Sequence, residues 1–317
     1  MNGSIITNNT VWDNSQPFVI LDFLNVAAGA TLTIQPGTKI YAHANAPIII
    51  DGTLNATGTA NNKISFAGDR LDAPYKDYPA GWPGILFRSS SINNYLQFTE
   101  IKNAYQAIIA DQPASNGNPK LVMQQCVIDN AFDAGIFARN SSITASNLLV
   151  SNCANNISIQ GGGSYNFNHC TAASFSSNFL LHKTPVLSLS NSSIINGSPV
   201  SNNLQAIFSN CIFWGDNGFV DNEVVINKAG ANPFAVNINN SLYRAMSDPA
   251  NATLTNVIKN QDPLFDSIDV SNRYFDFRHT KSPAPGINTG MATIATKDLD
   301  NNNRPVGLPD MGCYEKQ

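Results

Sequence analysis

Charged side chains are scarce in this chain of 317 residues: Asp, Glu, Lys and Arg make up 13% of it, about half the share of an ordinary soluble domain. No run of Lys or Arg occurs and the formal net charge is -4, so a nucleic-acid or anionic-membrane surface is excluded as the main function. Long hydrophobic runs are missing too. The longest, such as Ala46 to Ile50, is far too short to span a bilayer. Five Cys, an odd number, show no CxxC pair, which argues against both a disulfide framework and a zinc module. The four His (His43, His169, His182, His279) are scattered without HExxH spacing, so no metal and no cofactor is expected. The chain opens on Met1-Asn2-Gly3 without a basic, apolar leader, and an exported protein is expected to have lost its signal peptide from this stretch.

What fills the space left by charge is Asn, roughly one residue in seven, the residue that tolerates left-handed turns and can ladder its own amide. Many tight turns follow, and they recur. Stacking six segments aligns the anchors Ile101, Ile128, Val150, Ala172, Ile194 and Phe213, with three successive steps of 22 residues flanked by steps of 27 and 19. Five positions before the anchors stand Leu96, Met123, Ala145, Phe167, Leu189 and Phe208. Seven after stand Ile108, Gly135, Ile157 and Phe179, and nine after Ala110, Phe137, Ile159 and Leu181. Two past the anchors come Asn103, Asn130, Asn152, Ser174 and Asn196.

Apolar positions two apart on short segments indicate strands, since a helix would return them every three or four residues. Short strands in a repeat of about 22 residues, separated by Asn and Gly turns, describe an all-β, right-handed parallel β-helix. A leucine-rich solenoid is the rival, but its LxxLxLxxN spacing is not sustained. A single domain over 1–317 is expected: N-terminal cap and first coils at 1–66, an inserted loop and coil at 67–94, regular coils at 95–215, and irregular last coils with a C-terminal cap at 216–317. In this register Cys126, Cys170 and Cys211, with Leu148 and Ser192 between them, form one interior column. Cys126 and Cys170 then lie two coils, about 9.6 Å, apart, beyond disulfide reach.

The string Gly29-Ala30-Thr31-Leu32-Thr33-Ile34-Gln35-Pro36-Gly37-Thr38, followed by Gly52-Thr53-Leu54-Asn55-Ala56-Thr57-Gly58-Thr59, resembles the first coils of bacterial surface proteins with the pectate-lyase-like β-helix superfold. The closing stretch, from Ser282-Pro283-Ala284-Pro285-Gly286 through Asp298-Leu299-Asp300 to Asp310-Met311-Gly312-Cys313-Tyr314-Glu315, is similar to the C-terminal segment of the "choice-of-anchor" β-helix proteins. The resemblance implies an extracellular or cell-surface location and says little about activity, because this superfold hosts lyases, hydrolases, adhesins and others.

Polygalacturonases of the superfold carry Asn-Thr-Asp, an Asp pair, Gly-His-Gly and Arg-Ile-Lys. Here Asn288-Thr289 is followed by Gly290 and the other strings do not occur; nor do the regular coils carry the acidic cluster that a calcium-dependent lyase needs. Two polar regions remain as candidate ligand sites. One is an outward strip with Asp111, Arg139, His182 and Lys183, which could meet an acidic sugar or simply be a solvated strand edge. The other is the loop Gly68 to Pro83, where Tyr75, Tyr78 and Trp82 could stack on sugar faces while Arg70, Asp72 and Asp77 bond hydroxyls. Its alternative is that the aromatics cover a coil and Arg70 pairs with Asp72 or Asp77. Asp298-Leu299-Asp300-Asn301-Asn302 alternates oxygen ligands like a calcium loop but lacks the Gly and Glu that complete one, which favours an Asn turn. The functional expectation is a noncatalytic surface or secreted protein that binds a polysaccharide or another surface component, or serves as a spacer. The alternative is a polysaccharide lyase or glycoside hydrolase with an unfamiliar site.

Overall fold

The computed structural model describes all residues except Asn217 and Ser282; Ser282, the first residue of the closing stretch quoted above, thus lies outside the described residues. The chain winds as a parallel β-helix whose coils each contribute up to three short strands. First strands run Ser4–Ile6, Leu24–Val26, Ile48–Ile50, Ile85–Phe87 and Gln106–Asp111. Second strands run Thr10–Trp12, Thr31–Ile34, Thr53–Thr57, Asn94–Gln97 and Leu121–Gln124. Third strands stack into a ten-stranded parallel sheet from Phe18–Ile20 to Ile258–Lys259. First and second strands belong to one sheet because Ala134–Ser146 and Asn155–Asn168 run through the corner between them. The corner bends at Asn140, with φ 45°, over Gly163, with φ 119°. A Cβ at Gly163 would lie 2.2 Å from the Ser141 carbonyl oxygen, so only Gly lets the coils approach there.

The interior follows from alternation: strand residues two apart point inward, and their neighbours one coil away sit directly above them. Leu96, Met123, Ala145, Phe167 and Phe208 form one such line, and Ile101, Ile128, Val150 and Ala172 another. All nine are buried.

Three expectations are corrected. Ala172 stacks on Phe213, not on Ile194. Ile194 instead lies on an antiparallel hairpin, Ser192–Ile195 with Ser198–Ser201, and is 70% exposed. Leu189 leaves its column with it: Leu187–Ser190 stacks on Ile157 to Ile159 as the next first strand, so residues 175–186 are an insertion and Phe179 and Leu181 are not rungs. The third correction is a slip of one residue. The turn after Ile128 is one residue longer than its neighbours, so Ile108 pairs with Ile136 and Ala110 with Ala138; Gly135 and Phe137 fall out of the columns, and Phe137 faces outward.

All five cysteines are free and buried. Cys211 follows Cys170 directly in the column, because the segment holding Ser192 is looped out. Burial pushes the thiols of Cys126 and Cys313 up to about 12. The Asn turns are left-handed at Asn103, Asn130 and Asn152, and Asn130 Nδ2 donates to Asn103 Oδ1 at 2.7 Å. Asn152 Nδ2 bonds Asp129 Oδ1 instead, and Asn196 turns the hairpin, away from this column. A second left-handed column, Phe98, Gln125, Asn147, His169, Asn210 and Asn240, marks the corner between second and third strands. Its mixed residue types hid it in the sequence.

The closing segment covers a side of the helix. Outward residues of the ten-stranded sheet, Leu149, Ala173, Ile212 and Leu242, are buried under Phe265, Phe277, Leu299, Met311 and Cys313. The segment is tied down rung by rung to the second left-handed column: Gln125 Nε2 donates to Asp298 O, Asn147 Nδ2 to Lys297 O, and Asn210 Nδ2 to Met291 O, all at 2.8–2.9 Å. Arg304 inserts a buried guanidinium between Glu315 (Nε to Oε2, 3.3 Å) and His169 Nδ1.

Candidate functional site

The loop of residues 67–83 is fixed by the Asn turns it crosses, since Asn103 Nδ2 donates to Lys76 O at 2.7 Å and Asn130 Nδ2 to Asp77 O at 3.1 Å. Trp82 is 1% exposed; its Nε1 donates to Lys102 O at 2.9 Å and its ring stacks on Phe66. It is therefore a core residue and presents no face to a ligand, which corrects the stacking role expected for it. Tyr75 and Tyr78 are partly exposed, but their rings are engaged. Arg70 covers Tyr75 at 3.8 Å while pairing with Asp72 through two 2.9 Å bonds, and Tyr78 packs against Phe179 from the insertion at 4.8 Å. This is an internally satisfied cluster of aromatic and cationic groups.

The outward strip divides. Asp111 and Arg139 are in direct register and form a bidentate pair at 2.9–3.0 Å, since the one-residue slip brings Arg139 into the Asp111 column. His182 and Lys183 stand elsewhere, on the insertion. His182 is buried, with Nε2 at 2.9 Å from Glu223 Oε1, and Arg244 donates to the same oxygen at 3.1 Å. A side chain at Gly215 would collide with both partners, its Cβ 2.2 Å from each. Lys183 Nζ lies 5.3 Å from the ring centre of Phe219. The expected four-residue strip is thus not a single surface.

Asp298 is buried and accepts the Asn302 and Glu315 backbone N–H groups, while Asp300 pairs with Arg278. Asn301 is left-handed at φ 68°, the Asn turn expected there. Among the described residues no group of three or more His, Cys, Asp or Glu is placed to hold a metal ion, and no helix is long and apolar enough to cross a membrane.

A concave site arises where the closing segment stands away from the second face. Outward residues of successive second strands, Gln97, Gln124, Thr144, Ser146, Asn166 and Asn168, form its floor, and Met291 to Lys297 form its wall. It encloses about 620 Å³. The floor is a by-product of the ladder: residues alternating with the core line must face solvent, and here they are amides and hydroxyls. Tyr95 donates to Gln124 Oε1 at 2.8 Å, pre-setting that amide. The amide oxygens of Asn147 and Asn168 are buried without a partner. Among the lining residues Lys297 alone carries a charge, and its Nζ is 2.8 Å from Asn303 Oδ1. Ile294 on the wall is 98% exposed. Sequence reasoning passed over this groove because none of its residues carries conspicuous chemistry, and its wall comes from a segment about 150 residues further along the chain. No protein-family model and no curated protein matches this chain.

Proposed function

We propose that this β-helix is a noncatalytic, extracellular binding protein that holds a neutral polysaccharide in the groove between its second face and the closing segment. The observation that carries this reading is the lining itself, a run of amide and hydroxyl groups one coil apart, with no carboxylate among them. Sugar hydroxyls both donate and accept, as do amides, and coil spacing of about 4.8 Å is close to the length of one pyranose unit. Glycoside hydrolysis would need two carboxylates across the bond, and none lines this groove. The resemblance of the first coils and closing stretch to pectate-lyase-like surface proteins supports the location.

Affinity electrophoresis through gels carrying neutral glucans, mannans or xylans, with polyuronates in parallel, tests this. Retardation is expected in at least one neutral gel, together with no release of reducing ends. Asn166→Ala should weaken binding about tenfold, the cost of one or two lost hydrogen bonds, with an unchanged melting temperature. Retardation by polyuronates alone, or release of product, would overturn the proposal.

A further inference from the structure

The corner between first and second strands carries a concavity separate from the groove under the closing segment. Its floor is the outward column Ser142, Ser164, Gln205 and Ala235, stacked in direct register on successive coils. Pro113 belongs to the coil before this column and Phe234 to its last coil, so the two stand at opposite ends. Asn202 and Asn203, at the foot of the hairpin, precede the column in the chain and line its first-face side. They are held in place, since Asn202 Nδ2 donates to Gly161 O and Ser201 Oγ to Asn232 Oδ1, both at 2.8 Å. The hairpin itself leans the other way, over the first face, where Ile195 lines a pocket with Leu86 and Arg139. None of residues 192–201 lines the corner, which stays open and encloses about 610 Å³.

No charged side chain lines this concavity. Ser164, Asn203 and Gln205 are exposed, and their side chains make no hydrogen bond among the described residues. Ser142 Oγ accepts from Lys120 N at 2.9 Å, which leaves its own proton to donate. Hydroxyls and amides that both donate and accept suit sugar hydroxyls. The half-buried ring of Phe234, 5.9 Å from Lys228 Nζ, adds an apolar face on which a sugar ring can stack. An extended peptide fits less well, because the backbone under the column is paired to a coil on each side and no edge is free to add a strand. The floors of the two concavities lie on the same strands: Ser142 is followed by Thr144 and Ser146, Ser164 by Asn166 and Asn168, and Gln205 by Ile207 and Ser209. Both run along the solenoid axis, with their outer rows about 13 Å apart.

We propose that the corner is a second site for a neutral glycan, whose strand lies side by side with the one under the closing segment, so that one molecule bridges two strands of polysaccharide. The bridging rests on the reading of the closing-segment groove as a glycan site, whereas the corner site stands on its own lining. Turns bound the corner where the other groove has the packed wall Met291 to Lys297, so the corner is the weaker of the two.

Calorimetric titration of the full chain with hexasaccharides of glucan, mannan and xylan tests the sites, and viscometry of the matching dilute polymers tests the bridging. The wild type is expected to take up two equivalents of at least one hexasaccharide and to raise the viscosity of its parent polymer, with excess protein reversing the rise. Asn203→Ala with Gln205→Ala should weaken the second equivalent about tenfold and abolish the viscosity rise, while Asn166→Ala weakens the first equivalent and leaves the second. Ser164→Trp, which fills the corner from an exposed position, is expected to act as the double variant does. A single equivalent, weakened by Asn166→Ala and untouched by the corner variants, overturns the corner site and leaves the closing-segment groove standing. A single equivalent with the reverse pattern overturns that groove and with it the bridging. Two equivalents without a viscosity rise overturn the bridging, and no uptake of any hexasaccharide overturns both sites.

Discussion

Replacing Trp82 with Ala is expected to destabilise the fold by roughly 3 to 5 kcal/mol, with a clear fall in melting temperature. The indole fills the space between the loop of residues 67–83 and the core beside Phe66, and its Nε1–H satisfies the Lys102 carbonyl. Truncation removes both the contact area and the donor, and leaves the Lys102 carbonyl without that partner. Trp82→Phe separates the two terms: the ring is retained and the loss should fall to about 1–3 kcal/mol. Tyr75→Ala in the same loop, where the ring is 46% exposed, should cost less than about 1 kcal/mol. Thermal denaturation of the three variants checks this order, and a Trp82→Ala protein as stable as the Tyr75 variant would contradict the placement of the indole in the core.

Acidification is expected to have an effect of similar size, concentrated where the closing segment docks. His169 is buried, its Nδ1 held by the Arg304 guanidinium and its Nε2 3.1 Å from Thr293 Oγ1. Burial first, and then the adjacent Arg304 charge, lower it from 6.5 to about 3. His279 is likewise lowered, mainly by burial, with both ring nitrogens unpartnered. Between about pH 6.5 and 3 the unfolded chain binds more protons at these sites than the folded one, so stability is full above 6.5 and falls as the pH drops. For His169 the limit is on the order of 5 kcal/mol. Asp298 and Glu315 act in the opposite sense: burial raises both from 3.8 and 4.5, so they take up protons earlier in the folded state and soften the decline at pH values above those ordinary ones. The loss is therefore expected to set in as the pH passes about 6.5 and to continue down to about 3, seen as a falling melting temperature and as hydrogen exchange opening first along residues 285–315. His169→Asn should flatten that slope. A melting temperature constant over the range would contradict the buried, neutral state of the two imidazoles.

The fold was legible in the sequence wherever the coils are bare. The columns through Leu96, Met123, Ala145 and Phe167 could be read because period-two alternation and turn spacing agree over four coils. The reading failed at insertions. Leu187-Ser188-Leu189 has the same alternation whether it serves as a first or a second strand, so the sequence alone reads the hairpin after it as a rung and Ile194 as an anchor. One added residue in the turn after Ile128 was enough to move Arg139 into the column of Asp111. Outward apolar residues such as Leu149 and Ile212 violate simple alternation, and only the closing segment packed over them explains why. The candidate site was less legible still. Conspicuous residues, Trp82 and His182 among them, are conspicuous because they are buried and paired, whereas the groove is made of Gln, Asn, Ser and Thr, which individually resemble any solvated strand face.

Hydrogen-exchange mapping of the protein with and without a saturating neutral polysaccharide that retards it tests the binding groove most directly. Protection is expected at residues 97–98, 124–125, 144–147 and 166–168 on the floor and at 291–297 on the wall, with the loop of residues 70–78 and the first face unchanged. Protection confined to that loop or to the first face, with the groove exchanging as freely as before, would contradict the account.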